Sequence, residues 1–163
     1  MIKKEILAGL GLFAGLDEGA VETIAKFTKE TSYPEGATIF SPEHPSDTVC
    51  VLLEGTIRLS VISSPLTHPV SLAVLKKPGQ LFGFSSVLGQ GHHNSSAEAA
   101  SAARVAVIEA APLMDYLEKH PEAGFVIMKR VAQAVSRRLA VIRRLLLETV
   151  IDFETQASTI VEN

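Results

Sequence analysis

The residues able to do chemistry gather in one segment, FGFSSVLGQGHHNSSAEAA at 82–100. Ser85, Ser86, Asn94, Ser95 and Ser96 offer neutral hydrogen-bond donors, and the backbone amides near Gly83 suit a small anion nest. A buried anion also needs a cation to offset its desolvation. Residues 78–103 contain no Lys or Arg, so such a cation must come from elsewhere in the chain. Neutral donors of this kind suit a neutral or weakly anionic ligand. His92 and His93 are adjacent, and neighbours on an extended chain point to opposite sides, which makes them poor joint metal ligands. They read as exposed loop histidines. No His-x-His occurs, and no Ser-His-Asp or Cys-His relay can be assembled. The single Cys50 lies in an apolar run and reads as core packing; alone it forms neither an intramolecular disulfide nor a thiolate-rich zinc site. GLGLFAG at 9–15 lacks the spacing of a dinucleotide loop and reads as helix packing. No catalytic group and no metal site are expected.

A second cluster is cationic. Between residues 123 and 147 stand Lys129, Arg130, Arg137, Arg138, Arg143 and Arg144 with no acid, a local charge of +6. This reads as a solvated helix face complementing acidic surface, or as a site for an acidic partner protein or a nucleic-acid backbone. The whole chain gives no support to a dedicated nucleic-acid binder: Lys plus Arg is 15 and Asp plus Glu is 18, a net charge of -3.

Positioning these groups falls to one domain, since 163 residues is close to the size of a single unit of roughly 150. With 47% hydrophobic and 20% charged residues, overall disorder is excluded. The apolar run at 6–16 loosely imitates a secretory signal, but three glycines interrupt it and it reads as an amphipathic helix. No stretch approaches the roughly 20 apolar residues that span a bilayer. Residues 1–30 read as helices: Leu16, Ala20, Ile24 and Phe27 share a face, and Asp17 caps the second helix. Residues 31–110 read as short strands separated by turns, including runs at 48–53, 56–62, 70–75 and 104–108, which suggests an antiparallel sandwich or barrel. Residues 111–153 read as helices, with Pro112 and Pro121 in first turns. On the second of these, Met128, Ala132, Val135, Leu139, Ile142, Leu146, Thr149 and Phe153 recur at alternating spacings of four and three. That seam favours a homodimer over a helix lying wholly on its own barrel. The domain is expected over 1–153, with a flexible polar tail at 154–163.

This order of elements resembles the cyclic-nucleotide-binding domain family, the sensor module of catabolite-activator-type transcription factors. The resemblance rests on LFAGLDEGAVETIA (12–25), YPEGATIF (33–40), SDTVCVLLEGTIRL (46–59), LKKPGQLFG (75–83) and LEKHPEAGFVIMKRVAQAVSRRL (117–139), in the family's order. It implies an α+β, mainly β fold: an antiparallel, jelly-roll-like β-roll with N-terminal helices and a long C-terminal dimerisation helix. It also implies a ligand cavity inside the roll. In the family's phosphate-binding cassette an acid directly after Phe-Gly accepts the ribose hydroxyl, and an arginine about ten residues on pairs with the cyclic phosphate. Here those positions carry Phe84 and Asn94, followed by Ser95. Arg130, Arg137 or Arg138 on the long helix are the substitute cations. Some relatives bind haem through Cys and His; Cys50 is read as packing instead. Only about ten residues follow Phe153, so the family's DNA reader is not expected in this chain, and DNA binding by it alone is not expected either.

The resulting expectation is a non-catalytic, cytoplasmic, homodimeric regulatory domain with a non-standard pocket. A genuine cyclic-nucleotide receptor using atypical contacts stays open beside it. So does a structural interaction module with a vestigial pocket and a partner protein.

Overall fold

The computed structural model describes residues 2–62 and 68–161, with side chains as far as Ile151. The helices α1 (Lys4–Ala8) and α2 (Glu18–Lys26) lead into strands β1 (Thr28–Tyr33), β2 (Thr38–Phe40), β3 (Thr48–Glu54) and β4 (Ile57–Val61). Strands β5 (Val70–Leu75) and β6 (Leu81–Phe82) follow, then a 3-10 turn at Ser86–Leu88, β7 (Ser96–Ala99) and β8 (Ala103–Glu109). The chain closes with α3 (Ala110–Lys119) and α4 (Pro121–Val161). Two four-stranded antiparallel sheets result, in the orders β1-β8-β3-β6 and β2-β7-β4-β5. This is the expected β-roll.

The middle of one sheet is buried on both faces. Along β3, Val49 and Val51 point to a helical layer containing Leu7, Phe13, Ile24, Leu113 and Ile127, whereas Cys50 and Leu52 point into the roll. A strand covered on both sides needs an unbroken apolar run, which is what TVCVLL provides. The other sheet faces solvent on one side. Ile57 and Leu59 of β4 are buried while Arg58 is exposed and pairs with Glu98 of β7 at 3.3 Å. Asp17 caps α2 as expected, its Oδ1 accepting the Ala20 N–H at 2.8 Å. Burial pushes the Cys50 thiol up to about 12, so it is a packing group and not a nucleophile.

The first sheet begins earlier than the expected boundary at residue 31: β1 starts at Thr28, whose hydroxyl donates to the Ile24 carbonyl at 2.8 Å. The polar run TKETSY gives little strand signal and is held by its pairing with β8. Strand β7, SAEA, lacks β-branched residues; Ala97 and Ala99 are fully buried because the roll is narrow there. Helix α4 runs 41 residues, about 62 Å at 1.5 Å per residue, and its backbone continues past the expected end at 153 to Val161. The side chains of the seam position Phe153 and of the expected tail lie outside those described. No helix among the described residues is long and apolar enough to cross a membrane.

Candidate functional site

The chain leaves β6 through Gly83, whose φ of +66° is left-handed backbone. A Cβ there would stand 2.9 Å from Phe40 Cε1 and 3.7 Å from Cys50 Sγ, so glycine is needed for space as well as conformation. The turn delivers Phe84 to the rim of a cavity of about 380 Å³. From the roll, Leu59, Leu72, Phe84, Leu88, Gln90, Asn94 and Ser95 line it. From α4, Val135, Arg138, Leu139 and Ile142 close the remaining side.

Arg138 supplies the cavity's one cationic side chain. Its guanidinium carbon lies 5.0 Å from the centre of the Phe84 ring, and Nη2 donates to the Leu81 carbonyl at 3.4 Å. Burial lowers its pKa from the ordinary arginine value. A stack of this kind is worth about 0.5 to 2 kcal/mol, depending on desolvation. Phe84 from the roll and Arg138 from α4 thus meet at the rim of the cavity.

The seven site residues expected from sequence separate into two groups. Phe84, Asn94 and Ser95 line the cavity. Gly83 is walled off by Phe40 and Cys50. Ser85 is buried, its carbonyl accepting the N–H groups of Leu88 and Gln90, and Ser86 Oγ donates to the Thr48 carbonyl at 3.3 Å. Ser96 belongs to β7, opposite Ser60 of β4. These four build the cassette but do not line the cavity. Gln90 and Leu88 are cavity residues that no motif or charge in the sequence singled out. Among the candidate cations, Arg138 reaches the cavity whereas Arg130 and Arg137 line a separate groove.

The expectation for His93 requires correction. His92 is exposed, but His93 is only 5% exposed and stacks on Phe40 with ring centroids 3.8 Å apart. The isolated bridge between Pro45 and His92 turns the chain so that the next side chain faces inward. Its Nδ1 has no hydrogen-bond partner among the described residues, and burial lowers its pKa; Asp47 opposes that shift and His44 adds to it. A histidine buried in neutral form titrates at lower pH folded than unfolded. Its stabilisation is present above the unfolded value of about 6.5 and is lost as pH falls toward and through the folded one. Thermal melts of wild type should therefore drop between about pH 7 and pH 5, and His93→Phe should remove that part of the drop.

The described residues contain no group of three or more His, Cys, Asp or Glu side chains able to hold a metal. Helix α4 carries two apolar stripes. Ala123, Ile127 and Val131 are buried on the domain itself. The expected seam lies about 100° round the helix. There Val135, Leu139 and Leu146 are 38%, 64% and 62% exposed, Ala132 is exposed, and Met128 and Ile142 are half-buried.

A family model of the cyclic nucleotide-binding domain matches residues 30–120. A crystal structure from Geobacter metallireducens GS-15, of a protein provisionally assigned as cyclic nucleotide-binding, is 35% identical. It matches 85% of this chain and 99% of its own, with a TM-score of 0.74. The N-terminal domain of a transcriptional regulator from Streptomyces coelicolor A3(2) is 27% identical, with 83% and 92% of the two chains covered and a TM-score of 0.63. The CRP-like cAMP-activated global transcriptional regulator of Mycobacterium tuberculosis is 24% identical over 135 residues, 83% of this chain and 58% of that protein. The chain therefore spans little more than half the length of that relative.

Proposed function

The chain belongs to the cyclic nucleotide-binding domain family, and on that premise we propose that it is a non-catalytic regulatory domain whose roll cavity does not hold cAMP or cGMP tightly. The observation that carries this reading is the Arg138–Phe84 stack. An apolar ring stands at the acidic position, Asn94 stands at the arginine position, and the one cation comes from α4. Removing one partner of a buried charge pair costs about 2 to 5 kcal/mol, roughly 30-fold to several thousandfold in affinity. The remaining walls, apolar apart from Gln90, Asn94, Ser95 and Arg138, suit a neutral or singly anionic ligand with an apolar body. Such a ligand regulates by favouring one position of α4 over another, because it draws contacts from both α4 and the roll. The exposed stripe of α4 supports a homodimer.

Calorimetry with cAMP and cGMP tests the reading. Wild type should show no binding tighter than about millimolar, whereas Phe84→Glu with Asn94→Arg should reach micromolar, a gain on the order of a thousandfold. Micromolar binding by wild type would overturn the reading and make the domain a receptor that uses Arg138 in place of the cassette arginine.

A further inference from the structure

Beyond the roll cavity, a second concave region runs along the far side of Arg138. One hollow of about 330 Å³ lies between β5 and α4, with Arg137, Arg138 and Arg144 on its helical wall. A second, of about 210 Å³, adds Arg130 and shares Leu81 and Arg137 with the first. The two form one groove, and among the described residues neither is lined by any Asp or Glu.

The arginines in this groove are poorly neutralised. Arg137 has no hydrogen-bond or ion-pair partner among the described residues. Arg130 donates only to Gln133 at 3.3 Å. Arg144 has Glu148 at 3.8 Å, beyond hydrogen-bond distance, and Arg138 has the Leu81 carbonyl. Three guanidinium groups, those of Arg130, Arg137 and Arg144, left in a row along one face of α4 on a protein of net charge -3 are a local feature, not a general basic surface.

The other wall is a strand edge. Strand β5 is outermost in its sheet, pairs with β4 alone among the described residues, and has α4 packed against it. Ala73, Val74 and Leu75 are consecutive yet all line the groove. Successive side chains on a strand point to opposite faces, so a groove touching three in a row follows the edge. From Arg130 to Arg144 is about 21 Å along α4, the length of about six residues of extended chain.

We propose that this groove, between β5 and the arginine row of α4, docks an extended segment of a partner protein in which acidic and apolar residues alternate. Alternation puts carboxylates toward α4 and apolar side chains over Ala73, Leu75 and Leu81. A nucleic-acid backbone has no use for the apolar floor.

Fluorescence anisotropy on the whole chain tests this with a labelled peptide of about twelve residues in which Glu and Val alternate, a length that spans the row with margin. Micromolar binding is expected, weakening as salt rises from about 50 to 300 mM, with none for the Lys-Val counterpart. Arg137→Glu with Arg144→Glu should weaken it at least about tenfold. Both residues are exposed and lie away from the Leu139 stripe, so the variant should keep the wild-type fold and mass. Absence of peptide binding at millimolar concentration, or binding that survives the charge reversal, would overturn the proposal. Tighter binding of a labelled DNA duplex of about 20 base pairs would overturn it in favour of a nucleic-acid site.

Discussion

Leu139→Lys with Leu146→Lys should convert a dimer to a monomer, read by light scattering at micromolar concentration. Both leucines are more than 60% exposed on α4, and burying each against a partner helix is worth about 1.5 to 3 kcal/mol. Two protomers contribute four such side chains. The substitution also places new cations on a helix that already carries six basic residues and no acid between residues 123 and 147. A rise of about a thousandfold or more in the dissociation constant follows. The packed stripe of Ala123, Ile127 and Val131 is untouched, so the circular dichroism of the roll should not change. A wild-type protein that is already monomeric at that concentration would refute the dimer. The pre-existing positive charge carries a second signature: added salt should strengthen the dimer, because it screens repulsion between the two helices.

The largest loss of stability should come from Gly55→Ala. Gly55 turns the chain from β3 to β4 with φ +89°. A Cβ there would lie 2.3 Å from the Ala102 carbonyl oxygen in the turn between β7 and β8 and 2.8 Å from the Cα of Ala103, the first residue of β8. These two turns join the sheets, and Ala100 N–H donates to the Thr56 carbonyl at 2.8 Å between them. Backbone cannot swing aside as a side chain can, so relief requires prising β8 from β3. The left-handed conformation costs about 1 to 2 kcal/mol, and the displacement raises the total above about 4 kcal/mol. That is a large part of a stability of about 5 to 15 kcal/mol and a melting shift of roughly 8 to 16 °C. Gly36→Ala is the control: its φ is +81°, but a Cβ there meets open space, so only the conformational cost applies. Equal melting shifts in the two variants would show that the Ala102 contact carries no weight.

Most of the architecture was legible because its periodicities are local. The alternation of Ile57, Arg58 and Leu59 reflects one buried face, the apolar run within Thr48–Glu54 reflects two, and the four-and-three spacing on α4 marks a stripe that the domain itself leaves largely exposed. What the sequence concealed depends on neighbours. Strand β7 exists because β2 and β4 need a partner between them, not because SAEA favours extension. His93 is buried by the bridge at Pro45 and the face of Phe40, and nothing in GHHN distinguishes it from His92. At the candidate site, Phe84 and Asn94 could be placed by counting along the cassette. Arg138 could be placed only among three arginines, since which of them faces Phe84 depends on how α4 lies across the roll.

Val135, Leu139 and Ile142 line the roll cavity and also belong to the seam that a partner helix would cover. A ligand in the cavity and a second copy on the seam therefore touch the same three side chains. Occupancy and self-association then form a thermodynamic cycle, in which whatever factor dimerisation applies to ligand affinity, ligand applies to dimerisation. Reciprocity of this kind makes the apparent affinity for a small molecule depend on the concentration of the protein itself. The abundance of the chain would thus set its sensitivity, with no second effector required.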